Sequence, residues 1–314
     1  EVIDHLESLD GGLTTVHDFS TPDGKSFKVL LTNGKFQGTD DIKGEMIPQL
    51  SIGLVPLMHT DARNNALVIG YGTGATARIL HEAGFDHMDV VDISKDIFVL
   101  ADEYFQPVNN GVTEMDNVDK YVTDGRNFLL LSEKKYDLIS IQISSIWFAG
   151  AASLYNREFY QLVQRNLTPD GVLQQWVQLH HATPYDLVYI IGTLRSVFDY
   201  VRLYIVGGQG ILVASMTPDS DPSEAAIQAL QEIPYVRYLA GNGVDAFSRL
   251  QNTLLMRPDD INRLIKTFTE EYGRLPVSDN DNSILEYSTP KSNVLDSSTS
   301  YKQNIEWLSG FRSE

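Results

Sequence analysis

The chain has no cysteine, which excludes disulfides, thiolate nucleophiles and thiolate-held metals and is compatible with a reducing cytosol. It has no unbroken apolar run of about 18 residues, so no membrane span is expected within it. Basic residues are scarce: 24 Lys and Arg stand against 42 Asp and Glu, a net charge of −18. Without a basic block to follow a phosphate backbone, nucleic acid is a poor partner. An acidic surface attracts cations such as polyamines, but it also simply keeps a protein soluble. The chain starts at Glu1 with neither an initiator Met nor a signal-like segment, which leaves room for residues upstream, an anchor among them.

What is present is an ordinary globular composition, 42% hydrophobic and 21% charged over 314 residues, enough for one large or two modest domains. The most informative stretch is Ala66-Leu67-Val68-Ile69-Gly70-Tyr71-Gly72-Thr73-Gly74, an apolar run closed by a glycine turn. A second apolar run ends at Asp92-Ile93 and a third segment at Asp124-Gly125. In an open α/β sheet, ligands sit beyond the carboxyl ends of the strands where strand order reverses. Gly70, Gly72 and Gly74 supply backbone angles closed to other residues. Asp92 stands where a carboxylate accepts ribose hydroxyls, and Asp124 where a side chain or the Gly125 amide reaches an adenine edge. The spacing is Gly-x-Gly-x-Gly rather than Gly-x-Gly-x-x-Gly, so one nucleoside without a pyrophosphate is expected.

Around this motif, strand and helix signals alternate. Strands are expected at 66–70, 88–92, 118–123, 136–143, 171–179, 201–206 and 210–215, and helices at 73–84, 94–105, 125–132, 155–166 and 184–198. That rhythm predicts a mainly parallel sheet covered on both faces, with an edge hairpin at Gly207-Gly208-Gln209. Ahead of it, residues 14–39 alternate apolar and polar around Asn33-Gly34, a hairpin signal, and a helix is expected over 43–58 despite Pro48 and Gly53. The Pro- and Ser-rich loop after Ser215 predicts a boundary, giving units 1–58, 59–216 and 217–314, the last a helical extension that includes a helix from Pro258 to Tyr272.

Several segments together resemble the polyamine aminopropyltransferases, the spermidine synthase family, and most closely its membrane-fused branch. They are Thr32-Asn33-Gly34-Lys35-Phe36-Gln37, the Gly70–Gly74 turn, Thr123 to Leu129, Ala152 to Tyr160, Gly171-Val172-Leu173-Gln174-Gln175-Trp176 and Leu285-Glu286-Tyr287. The resemblance covers residues 14–290 and implies a Rossmann-like, S-adenosylmethionine-dependent methyltransferase fold with a small N-terminal β module. It implies that Gln37, Asp92, Asp124 and Gly125 hold S-adenosylmethionine or its decarboxylated form, with no metal. It also implies a small amine or other small acceptor. A homo-oligomer, a membrane tether outside the chain and a place on the cytosolic side, where S-adenosylmethionine is made, are compatible with it. Arg157 and Glu158 are expected to form a local ion pair.

Two departures stand out. Where the family has Asp-Ser-Ser-Asp-Pro, or Glu-Pro-Ser-Asn-Pro-Trp in the fused branch, this chain has Gln142-Ile143-Ser144-Ser145-Ile146-Trp147. Where the family has Tyr-His-Glu-Met, it has Lys43-Gly44-Glu45-Met46. An alkylammonium, with a pKa of about 10.4, must lose a proton before attacking, and Gln142 cannot take it. Gln142, Ser145, Trp147 and Glu45 are expected at the reacting end. His180 and His181, just past Leu179, are either a substitute base or an exposed loop pair. Asp40 and Asp41 either line the mouth or cap the helix, and Asp279, Asp281 and Glu286 are taken as structural. Four readings follow: a transferase with a changed acceptor or donor, lyase-like cleavage of S-adenosylmethionine by its own carboxylate, a non-catalytic ligand-binding domain, and a methyltransferase.

Overall fold

The computed structural model describes residues 1–8, 12–21, 23–44, 46–142, 151–218, 221–245, 250, 252–292 and 297–313. At the N-terminus, β1 (Val2–Glu7), β2 (Leu13–Ser20), β3 (Ser26–Thr32) and β4 (Lys35–Thr39) pair in order as an antiparallel sheet. The β3–β4 connection is the two-residue turn foreseen at Asn33-Gly34. Both residues take positive φ, 50° and 75°, as a turn matched to strand twist demands. Strand β1 lay outside the alternating stretch read from sequence. Its residues are mostly exposed, and its place is set by partners distant in sequence, including Tyr104, whose hydroxyl donates to Asp4 at 2.9 Å.

Helix α1 (Met46–Leu57) follows and is buried on nearly every face. It tolerates Pro48 because that residue sits in the first turn, where its missing N–H is not needed. Gly53 lets the neighbouring helix close in: a Cβ there would lie 3.0 Å from Ile79.

The main sheet alternates as read. In chain order come β5 (Asn65–Ile69), α2 (Ala75–Glu82), β6 (His87–Asp92), α3 (Lys95–Tyr104), α4 (Gln106–Asn109), β7 (Val118–Val122), α5 (Gly125–Leu131) and β8 (Tyr136–Ile141). They continue with α6 (Arg157–Asn166), β9 (Leu167–Val177), α7 (Pro184–Arg195), β10 (Tyr200–Val206) and β11 (Gln209–Ser215). Beyond lie α8 (Glu224–Ala229), α9 (Pro234–Gly241), β12 (Leu254–Met256), α10 (Pro258–Tyr272), α11 (Ile284–Ser292) and α12 (Ser297–Ser309). The sheet order is β12-β10-β11-β9-β8-β5-β6-β7. Strands β7, β6, β5, β8 and β9 run parallel, and the β9 edge is extended by antiparallel β11, β10 and β12. The region after Ser215 is therefore not purely helical, because β12 docks on β10.

Alternate side chains of β5 feed two cores. Ala66 and Val68 join the core that holds Leu50 and Leu54 of α1, while Leu67 and Ile69 join Phe159 and Val163 of α6 in the other. The fold is thus α/β with a mostly parallel Rossmann-like sheet and an antiparallel N-terminal module. Among the described residues, no helix is long and apolar enough to cross a membrane.

Candidate active site

Strand order reverses at β5, whose neighbours are β6 and β8, and the glycine turn leaves β5 at that point. The Gly70 amide donates to Val91 at 2.8 Å and the Gln142 amide to Ile69 at 2.9 Å, so the turn is stapled between both neighbours. Gly70 has φ 93°, and a Cβ there would lie 2.9 Å from the Gln142 carbonyl. Gly72 has φ 55° and stands equally close to the Gln37 carbonyl, 2.9 Å. The turn therefore brings Gln37 of β4 and Gln142 past β8 to its two sides. Gly74 and Gly125 pack closely as well: a Cβ on Gly74 would strike Asn109 and the Tyr71 ring, and one on Gly125 would strike Ile69.

Asp92 closes β6 and is buried. Its Oδ2 accepts from the Tyr71 amide at 2.8 Å and its Oδ1 from the Ser94 amide at 2.9 Å, tying the glycine turn to the start of α3. Burial raises its pKa, opposed by the amides of Ser94, Tyr71 and Ile93. A carboxylate has about four acceptor sites, so Asp92 keeps acceptor capacity that suits a ribose hydroxyl. Beside it, Ile93 is 74% exposed, an apolar surface fit for the face of a base. Asp124 caps α5 by accepting from the Asn127 amide at 2.9 Å, and the Thr123 amide donates to the Asp92 carbonyl at 3.0 Å, which draws these two strand ends together. These groups fit a nucleoside.

At the other side of the turn, Gln142 is half-buried and its Nε2 has no hydrogen-bond acceptor among the described residues. Gln174 of β9 is fully buried; its Oε1 accepts from Ser140 at 2.7 Å, and its Nε2 also lacks an acceptor among them. Each unmet buried donor costs about 1–3 kcal/mol. The sequence signal for Gln174 was a polar pair, Gln174-Gln175, inside an otherwise apolar strand. Ser145, Trp147 and Glu45, expected here, lie outside the described residues. Asp40 and Asp41 are engaged locally: Asp40 pairs with Lys28 at 3.6 Å and Asp41 accepts from the Lys43 amide at 3.2 Å.

His180 follows β9 in a loop held by α12. Asn304 Nδ2 donates to the carbonyls of Leu179 and Ala182, each at 2.8 Å, and Ser300 Oγ accepts from the His181 amide at 3.0 Å. Burial, reinforced by His181, lowers the His180 pKa below the ordinary histidine value. We expect imidazole NMR to show His180 neutral at pH 7. Because its folded pKa is the lower one, the unfolded chain binds the proton more readily. Stability is then lost as pH falls from about 6.5 through the folded value. An unshifted titration would mean that the loop is solvated.

One further expectation resolves away from the site. Arg157 pairs with Asp279 at 2.8 Å, not with Glu158, which accepts from the Asn280 amide at 3.1 Å. His87, Asp89 and Asp119 gather at the opposite end of the strands, but the Lys134 ammonium already lies 2.9 Å from Asp89, so this cluster is an ion-pair network.

With this geometry in place, the comparisons define the class. Residues 45–207 match the spermine/spermidine synthase domain. The chain belongs to the spermine/spermidine synthase family. It is 29% identical over 214 residues to polyamine aminopropyltransferase 2 of Hyperthermus butylicus, covering 66% of this chain and 69% of that one. To polyamine aminopropyltransferase 2 of Pseudomonas aeruginosa it is 28% identical over 207 residues, covering 63% of this chain and 59% of that one. Its fold is like that of spermidine synthase from Thermotoga maritima, with a TM-score of 0.58 at 19% identity, covering 77% of this chain and 88% of that one. A spermidine synthase solved with the transition-state analogue AdoDATO gives 0.60 at 19% identity, with the same coverage.

Proposed function

We propose that this chain is an alkyl transferase of aminopropyltransferase type. It takes S-adenosylmethionine or decarboxylated S-adenosylmethionine, releases methylthioadenosine, and serves an acceptor other than the usual diamine. The observation that carries this reading is the glycine turn at the strand-order reversal, flanked by Asp92 and Asp124 on one side and by the neutral Gln142 on the other. In it, residues 59–216 form the nucleoside-binding unit, 1–58 supply Gln37 at its edge and 217–314 extend it. The protein works on the cytosolic side, where the donor is made.

Asp92 holds the ribose, Ile93 the face of the base, and Asp124 with Gly125 its edge. Gln37 and Gln142 stand where the chain bearing the sulfonium leaves the nucleoside. The leaving group is a neutral thioether, so no acid is required, and catalysis rests on holding the nucleophile in line with the breaking bond. Gln142 orients but takes no proton. The neutral His180 imidazole, on the same sheet edge, is a group able to accept one.

The test is mass spectrometry of the protein incubated with either donor, with and without putrescine. We expect methylthioadenosine to appear with one donor and putrescine to add little. Nucleoside binding without release would favour a non-catalytic binding domain instead, consistent with the neutral side chain at 142.

A further inference from the structure

Gln142 and Gln174 belong to one polar layer. Ser140 and Gln174 are register partners on the parallel strands β8 and β9. Gln142 follows Ser140 by two residues, and its amide extends the ladder to Ile69, which keeps it on the same sheet face. That face lies under α1, whose Leu50 and Leu54 pack with Val68, Leu138 and Val172 of the same layer. Ser140 donates to the Gln174 carbonyl oxygen, which leaves the N–H groups of that amide to find acceptors. Among the described residues, both Nε2 atoms are buried without an acceptor, and Gln142 lies beside the Gly70 turn. Buried donors are almost always satisfied in native proteins, so two in one layer at a ligand edge await an acceptor from outside the chain.

We propose that Gln142 and Gln174 form a carboxylate-binding subsite at the reacting end, an inference that rests on the nucleoside reading above. An ammonium offers only donors and cannot satisfy either Nε2. A carboxylate offers two oxygens with only lone pairs, and bonds to it are charge-assisted. The carboxylate has two sources: the amino-acid end of undecarboxylated S-adenosylmethionine, or a separate carboxylic acid bound as acceptor. In either case it also serves as a nucleophile needing no base. Its oxygen attacks the carbon bonded to the sulfonium, the C–O bond forms as the C–S bond breaks, and the bonding pair stays on sulfur. Neutral methylthioadenosine leaves, no proton moves, and the product is a lactone from the donor's own carboxylate or an ester from a separate acid.

Calorimetric titration of the intact chain tests this with matched ligands. Methylthioadenosine carries the nucleoside alone. S-adenosylmethionine and its decarboxylated form differ only in the carboxylate, and γ-aminobutyrate and putrescine, added with methylthioadenosine, differ in carboxylate against amine. We expect methylthioadenosine to bind and the carboxylate member of one pair to bind about tenfold tighter than its partner. A preference within the first pair assigns the donor's carboxylate, and one within the second a separate acid. Gln142→Glu, which puts a negative charge in the layer, is expected to reverse that preference, and Gln174→Leu to erase it. Methylthioadenosine binding with no carboxylate preference in either pair would overturn the subsite while leaving the nucleoside reading intact. A preference that survives both substitutions would overturn it as well. If methylthioadenosine itself fails to bind, the nucleoside reading falls and the subsite with it.

Discussion

Gln142→Asp is expected to raise putrescine-dependent release of methylthioadenosine from decarboxylated S-adenosylmethionine by about a hundredfold, the low end of what a positioned general base contributes. The position is right for that role: residue 142 follows β8 directly, its backbone touches the Gly70 turn, and its side chain lies at the ligand edge. The obstacle to an amine acceptor is chemical. A protonated amine has no lone pair, and an amide side chain neither attracts the cation by charge nor takes its proton. A carboxylate at 142 does both. The substitution also removes one of the two buried N–H donors without an acceptor, so the fold should tolerate it. Quantifying methylthioadenosine by mass spectrometry, with and without putrescine, checks the result. No gain with the folded variant would place the divergence at more than this position. Lys43, exposed beside the β module and of the same charge as a polyamine, would then be the next residue to change.

Much of this site is legible without coordinates because its cause is local. Apolar runs closed by glycine or aspartate mark strand ends, and a parallel sheet places successive strand ends on one edge, so Gly70, Asp92 and Asp124 come together by topology alone. The Asn33-Gly34 turn is legible because few residues accept two positive φ angles in succession. What was not legible depends on partners far away in the chain. The Ser140 to Gln174 bond spans 34 residues, and nothing in either strand announces it. Arg157 finds Asp279, 122 residues on, instead of its neighbour Glu158. Strand β12 is three residues long and is specified by the free edge of β10 rather than by its own pattern. The packing of Gly74 against Asn109, and of Gly125 against Ile69, is likewise set by partners distant in the chain.

Asp89→Ala is expected to cost about 3 kcal/mol of folding stability without touching the site. Asp89 is wholly buried in β6, three residues before Asp92 but at the other end of the sheet layer. Its carboxylate receives two hydrogen bonds from Lys134 at 2.9 Å and one from the Tyr136 hydroxyl at 2.6 Å, and the His87 ring lies at 3.1 Å. Lys134 is 42% exposed and regains water when its partner is lost, so the ion pair is the smaller part of the cost. The larger part is the buried Tyr136 hydroxyl, which loses its carboxylate acceptor, together with the space vacated in a packed strand. Burial and the Asp89 carboxylate both raise the Tyr136 pKa, so the phenol stays protonated and cannot relieve the loss by ionising. Asp119 borders the same cluster but is 56% exposed, and Asp119→Asn should change stability by no more than about 0.5 kcal/mol. Urea unfolding of the two variants side by side decides the matter. Equal small losses would mean that Tyr136 finds another acceptor and that the network is only a surface ion pair.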